Sequence, residues 1–222
     1  MLYIKDMKNY FNKMKYLTLA AVAMLFSGCE LAGLEFQKDE DYAYHVLDPK
    51  VNMTAWEYIN LPREDTLFNM TIRGIKYAGL EEEYKQPGRT FIVPTWTSFL
   101  RRNTDGKLNS GAYFAYKKVN GQNAASWKDY PVEDVKKFFQ YHIIEGVYSY
   151  DNLKPDNTIA TTLLEEPDNK IQLMVINDRN SKVQVNNYPN TKRTSTIRTS
   201  NIQVTNGVIH VTDGFYEPGV TE

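Results

Sequence analysis

The chain has 222 residues, a formal net charge of −1 and a mean hydropathy of −0.52. Its aromatic fraction of 13%, including 16 tyrosines, is too high for a disordered surface tether, so a packed domain is predicted. The nearly balanced charge argues against nucleic-acid binding, which is typical of chains with a basic stripe.

The first elements in chain order form an export signal. Basic residues precede a short apolar stretch, two small residues and the only cysteine: Lys13, Lys15, Leu17–Phe26, Ser27, Gly28 and Cys29. The apolar stretch has ten residues, about half of what a membrane-spanning helix needs. With a cysteine at the cleavage position, the arrangement resembles the lipobox of bacterial lipoproteins. The alternative is a plain signal peptide with an incidental cysteine.

The lipobox resemblance implies cleavage before Cys29, diacylation of its thiol with palmitate-type chains, and acylation of the new amino terminus. Two or more chains give durable membrane anchoring. Loss of the leader, with its four lysines and one aspartate, leaves 194 residues with 22 basic and 26 acidic side chains, a net charge of −4. We expect an envelope protein held in the outer membrane. The acidic run Lys38–Asp41 favours the cell surface, or it is a solvated spacer.

The predicted organisation has four parts: a leader at 1–28, an acidic linker at 29–53, one domain at 54–218 and a tail at 219–222. Within the domain, Phe68, Ile72, Ile75 and Gly79 recur at helical spacing, and Gly79 fits a helix C-cap. The segment 90–93 predicts a buried strand that ends against a proline.

A second helix is predicted after Pro131, with Val132, Val135, Phe138 and Phe139 on its buried face. The segment 141–144 then predicts a strand that stops at a glycine. Further strands are predicted at 171–176 and 182–186, around a polar turn.

The last element is a β-hairpin with Asn206-Gly207 as its two-residue turn. This turn predicts that Val204 lies opposite Ile209. Alternation along the strands places the apolar residues on one face and Gln203 and His210 on the other. The apolar set is Ile202, Val204, Ile209 and Val211.

Three blocks carry recognisable motifs: Gly74–Phe99, with A-G-L before a strand that ends in P-T, then Phe139–Gly146 with Y-H, and Val204–Gly214 with N-G-V-I-H-V-T-D. Together they resemble the fasciclin domain, in that family's order. The resemblance implies an α+β fold: a twisted β wedge with helices packed over one side. It also implies an extracellular module that binds proteins or matrix in adhesion. The motif residues that it marks as structural are Pro94, Thr95, His142, Asn206, Gly207, His210 and Asp213.

The chain departs from the family pattern at two places. Trp96 follows the Pro-Thr pair, where the family commonly has Asn or Asp, so binding credited to that motif elsewhere is in doubt here. The stretch around 103–130 is also longer than is common in the family and rich in aromatic residues. Tyr113, Tyr116, Trp127 and Tyr130 form either a ligand or partner surface or a satellite core; the core is favoured.

Catalytic patterns are absent from the sequence. The three histidines lack metal-ligand spacing, and no phosphate loop, dinucleotide fingerprint or nucleophile motif is present, so neither a metal nor a cofactor is predicted. We expect no enzyme.

The predicted function is a membrane-anchored binding or adhesion module with a protein or glycan partner, or an accessory lipoprotein of an outer-membrane glycan or nutrient-uptake complex. The alternatives are a hydrolase that uses His142 or His210, and a purely structural envelope protein. Asp65-Thr66-Leu67 also resembles a bacterial O-glycosylation sequon.

Overall fold

The computed structural model describes Met14 and residues 48–62, 66–189, 191 and 193–219. Cys29, the leader, the acidic run and Asp65 lie outside the described residues. All elements given below belong to one unit, Asp48–Glu222.

The helices described within this unit are short. They are Ala55–Ile59 (α1), Asn69–Ala78 (α2), Trp96–Leu100 (α3), Tyr113–Tyr116 (α4) and Val132–Tyr141 (α5). Single 3₁₀ turns occur at Glu83–Lys85 and Trp127–Asp129.

The strands form two four-stranded sheets. The first has the order β2-β1-β8-β7, with Arg89–Pro94 (β1), Ile143–Glu145 (β2), Thr199–Val204 (β7) and Gly207–Thr212 (β8). The second has the order β3-β4-β5-β6, with Thr158–Thr161 (β3), Lys170–Val175 (β4), Val183–Val185 (β5) and Ser195–Thr196 (β6). The strands predicted at 90–93, 171–176 and 182–186 are confirmed as β1, β4 and β5.

Strand β1 lies at the centre and is buried on both faces. It pairs antiparallel with β2 and parallel with β8. Phe91 and Val93 point into a core shared with the helices, whereas Ile92 points into a second core with the other sheet. This explains the continuous apolar run of β1, which is typical of a strand covered on both sides. Helices, first sheet and second sheet therefore form successive layers.

Helix α2 packs on α5 through Gly74. A Cβ on Gly74 would overlap the ring of Phe139 and lie 2.8 Å from Trp127, so only glycine allows this approach. The buried face is consequently rotated from the predicted stripe: it is Thr71, Gly74, Ile75 and Ala78. Ile72 is only half-buried, and Gly79 is exposed as the left-handed C-cap with φ of 67°.

The predicted buried face of α5 is correct for three of its four residues. Val135, Phe138 and Phe139 are buried, but Val132 is 43% exposed. Val132 is the first residue of the helix, directly after the Pro131 N-cap, and at this position the chain still lies at the surface.

The hairpin is confirmed, but its register differs from the prediction. Val204 lies opposite Gly207, and Ile202 lies opposite Ile209, so the two turn residues are Thr205 and Asn206. Gly207 belongs to β8, where it pairs with Val204 and with Arg89 of β1. A Cβ there would overlap the carbonyl oxygen of Arg89, so only glycine fits. The two turn residues lie one position earlier in the chain than predicted, and the side chains of both strands keep the predicted faces of the sheet. The predicted apolar residues still share the helix-side core.

Asn206 joins three segments at the hairpin turn. Its Oδ1 accepts a hydrogen bond from the Ala55 amide at 2.8 Å. Its Nδ2 donates to the carbonyl oxygens of Tyr84 and Gln86, each at 3.0 Å. The side chain thus fixes the start of α1 and the segment before β1 to the hairpin.

Residues 49–53 belong to the domain, which corrects the predicted linker end at 53. The Gln203 amide donates to the Pro49 carbonyl and the Val51 amide to the Gln203 carbonyl, both at 2.8 Å. The Thr205 amide donates to Met53 at 2.9 Å. The segment lies parallel to β7 and satisfies backbone groups at the sheet edge.

Replacing Asn206 with alanine is expected to lower the free energy of unfolding by about 2–4 kcal/mol, because three backbone groups lose their partner and two of these bonds are buried. Urea unfolding measures the change. The matched control is Asn187→Ala, whose side chain is exposed; we expect it to stay within about 0.5 kcal/mol. Equal stability of the two variants would show that Asn206 does not fix these segments.

Candidate functional site

Three of the four aromatic residues predicted as a candidate surface are buried. Tyr113, Trp127 and Tyr130 are 5%, 3% and 8% exposed, which corrects the surface interpretation for these rings. Trp127 donates its indole N–H to the Met70 carbonyl at 2.7 Å, and Tyr130 donates to the Lys117 carbonyl at 2.6 Å. The long insert therefore covers α2 and α5 as part of the core, and the polar atoms of Trp127 and Tyr130 each find a backbone partner.

Tyr116 is the exposed member of the set, at 40%, but its ring and hydroxyl are both engaged. The hydroxyl donates to Glu217 at 2.7 Å. The Arg193 guanidinium lies 4.3 Å from the centre of the Tyr116 ring and 3.7 Å from that of Phe215, a cation–π arrangement. Tyr116 thus holds the segment after β8 against the insert.

A groove of about 510 Å³ opens beside this contact. Four parts of the chain line it: 113–118, 130–141 with α5, the loop 164–168 and the segment 216–218; we call it the α5 groove. Its aromatic lining comes from Tyr113, Tyr130, Phe138, Tyr141 and Tyr216. The volume lies within the roughly 300–1,000 Å³ typical of ligand sites.

Charged side chains surround the aromatic lining of the α5 groove. The basic ones are Lys117, Lys118 and Lys137. The acidic ones are Asp134, Glu165, Glu166, Asp168 and Glu217. Acidic groups therefore exceed basic groups, and the groove carries negative charge at neutral pH.

Glu217 is ionised inside the α5 groove. Burial opposes its ionisation, but hydrogen bonds from Lys117 and Tyr116 outweigh burial and hold its pKa below the ordinary value. The Lys117 ammonium lies 2.8 Å from the carboxylate. Both members of this ion pair line the groove.

His142 is fully buried and has both ring nitrogens occupied. Its Nδ1 donates to the Phe138 carbonyl at 2.8 Å, and its Nε2 accepts from the Tyr216 amide at 3.3 Å. Burial lowers its pKa to about 4, partly opposed by the bond to Phe138. The neutral ring therefore ties the end of α5 to the segment after β8.

His210 has the equivalent arrangement on β8. Its Nε2 donates to the Tyr148 carbonyl at 2.8 Å, and its Nδ1 accepts from the Asn201 amide at 3.2 Å. Burial lowers its pKa to about 4, with the bond to Tyr148 acting in the opposite direction. Neither histidine has a free nitrogen with which to act as a base, which argues against the hydrolase alternative.

The remaining motif residues meet at the corner between β1 and α3. Asp213 Oδ1 accepts from Thr95 at 2.6 Å and from Thr97 at 3.0 Å. The Pro94 carbonyl accepts from the Thr71 hydroxyl. Asp213 thus supplies a polar contact at this corner, where Trp96 is 40% exposed.

Burial opposes the ionisation of Asp213, but hydrogen bonds from Thr95 and Thr97 and the charge of Arg198 hold its pKa below the ordinary value. Within the described part of the chain, no group of three metal-binding side chains converges. No helix in that part has the length and hydropathy of a membrane span.

The fasciclin-domain family model matches residues 66–218, most of the chain. The chain belongs to the fasciclin-domain family. A solved FAS1 domain pair from the insect cell adhesion molecule fasciclin I matches at 15% identity with a TM-score of 0.49. That match covers 77% of this chain and 51% of the insect one, so the chain spans about half of that structure. A comparison with curated protein sequences finds no match.

The family match confirms the predicted fasciclin α+β fold class. Fasciclin domains are cell-adhesion modules, generally without enzymatic activity, so the coarse prediction of a non-enzymatic binding role is supported.

Much of the α5 groove was not anticipated from the sequence. The aromatic insert pointed to Tyr113 and Tyr130, but Lys137 and Glu217 carried no comparable signal. Consecutive acids such as Glu165 and Glu166 are typical of a solvated face. Only the packing of 164–168 and 216–218 around α5 brings these charges together.

The fasciclin domain is expected to lose stability as the pH falls from 6.5 towards 5. An unfolded histidine takes up a proton near its ordinary pKa of 6.5, whereas His142 and His210 resist protonation down to about 4. Each histidine therefore lowers the free energy of unfolding by roughly 1 kcal/mol for each pH unit below 6.5 in this range.

The measurement is urea unfolding at several pH values. His210→Gln keeps a donor for the Tyr148 carbonyl and removes one titrating group, so we expect it to have about half the parent slope in this range. An unchanged slope would contradict the assignment of His210 as a buried neutral residue.

Proposed function

We propose that this chain is a lipid-anchored, non-enzymatic binding or adhesion module of a bacterial cell envelope. The observation that carries the anchoring is the position of Cys29, the only cysteine, directly after the apolar stretch and two small residues. A single fasciclin domain follows it. We place the anchor in the outer membrane, with the acidic run Lys38–Asp41 favouring the cell surface.

Two features support binding as the role of the domain. The family consists of adhesion modules, and the two described histidines are both held in backbone hydrogen bonds. The α5 groove adds a charged concavity of ligand size on the same domain. The partner is a protein or a glycan of the envelope or its surroundings.

A narrower form of the proposal is an accessory lipoprotein of an outer-membrane glycan or nutrient-uptake complex. Its support is fold-level analogy, which identifies a class of roles and no ligand. Affinity capture of the intact protein from detergent-solubilised envelope tests it. Co-purification of transport components supports this form, and recovery of surface or matrix proteins alone supports adhesion.

Replacing Cys29 with serine is expected to release the protein from membranes, because serine has no thiol to accept the acyl chains. Membrane fractionation and metabolic labelling with a clickable palmitate analogue measure the effect. The matched control is Ser27→Ala, which keeps a small residue beside the cleavage position and should stay membrane-bound and labelled. Membrane retention of the Cys29→Ser protein would overturn the lipid anchor.

A further inference from the structure

Tyr113 contributes an unpaired hydroxyl to the α5 groove. The side chain is 5% exposed and lines the groove, and its hydroxyl makes no hydrogen bond within the described residues. Phe138 and Phe215 hold the ring, with centroids 4.6 and 5.0 Å away. The ring is held in place, and its hydroxyl is open to the groove, so a bound ligand can form a hydrogen bond with it.

The Tyr113 hydroxyl lies near two carboxylates. Burial raises its pKa, and the neighbouring Tyr130, Glu217 and Asp134 raise it further. The hydroxyl therefore remains neutral and keeps its oxygen lone pairs available. A neutral oxygen next to carboxylates suits a cationic nitrogen, which donates to all of them.

The charges left over in the groove favour a cation. Lys117 pairs with Glu217, which removes one group of each sign. Lys118 and Lys137 form no ion pair within the described residues, nor do the four remaining acids: Asp134, Glu165, Glu166 and Asp168. Two uncompensated negative charges remain, and these attract a basic partner.

Saccharide binding is disfavoured by the aromatic lining. Sugar recognition of the stacking type needs an exposed ring face, as aromatic platforms do in general. Tyr130 and Phe138 are each 8% exposed, and Tyr141 and Tyr216 are each 1% exposed. Among the described residues, the rings that line the groove therefore offer no stacking platform.

On the basis of the proposed binding role, we infer that the α5 groove binds an extended segment of a partner protein that carries lysine or arginine side chains. One cationic head group lies between Asp134 and the Tyr113 hydroxyl. Further basic side chains meet the acidic loop 164–168. Lys118 and Lys137 donate hydrogen bonds to backbone carbonyls of the segment.

The test uses the full chain with Cys29→Ser and three probes. They are an end-capped Lys-Gly-Lys-Gly-Lys peptide, the same peptide with glutamate in place of lysine, and a neutral hexasaccharide. Isothermal titration calorimetry and amide chemical-shift mapping measure binding. We expect only the lysine peptide to bind, with shifts at groove residues and an affinity that falls as salt rises from about 0.05 to 0.5 M.

Two variants separate the groove from general surface charge. Asp134→Asn is expected to weaken binding about five-fold, since a partly exposed charge pair contributes up to about 1 kcal/mol. Its matched control is Glu133→Gln, the neighbouring carboxylate outside the groove, with an affinity within two-fold of the parent. Tyr113→Phe keeps the ring and should weaken binding without lowering thermal stability.

Four results would overturn the inference: no binding by any probe, preference for the glutamate peptide, binding of the hexasaccharide alone, or equal loss in Asp134→Asn and Glu133→Gln. Capture of a partner from solubilised envelope distinguishes failure of this inference from failure of the proposed function. If Asp134→Asn retains as much of the same envelope partner as the parent at a limiting protein concentration, the groove is wrong and the binding module stands. If the parent captures no envelope component, the proposed function fails whatever the peptide does.

Discussion

The parallel pairing of β1 with β8 is the constraint on which the other contacts of the domain depend. It brings the Arg89 carbonyl so close to Gly207 that no side chain fits there. Asn206, one residue earlier, holds α1 and the segment before β1. Because β1 is covered on both faces, this pairing also sets where the helices and the second sheet pack. A local close approach thus determines the order of the layers.

Residues that look chemically active serve as backbone ties in this domain. His142 joins the end of α5 to the chain after β8, and His210 joins β8 to the loop at Tyr148. Asp213 holds the corner after β1 through two threonine hydroxyls. Burial lowers the pKa of both histidines against the effect of their backbone bonds, whereas hydrogen bonds and Arg198 hold the pKa of Asp213 low against the effect of burial. The charged side chains of the α5 groove instead come from residues outside the three family blocks.

The sequence predicted the elements well and the long-range packing less well. Local patterns sufficed for α2, α5, β1 and the final hairpin, since periodicity and turn residues act over a few positions. The hairpin register was wrong because Gly207 meets a distant strand, which no local pattern contains. The rotated face of α2 has the same cause, the approach of Phe139 to Gly74. The α5 groove combines four separated segments, so its charges converge only in three dimensions.

Segment 49–53 is where a pulling force from the N-terminal side enters the domain. Its backbone bonds to β7 lie side by side along a parallel strand pair. A pull along that strand from the N-terminal side loads these bonds together in shear, and separation requires all of them to break at once. The bond from Asn206 to the Ala55 amide lies immediately behind them. Tension applied to this segment along the strand therefore loads the first sheet.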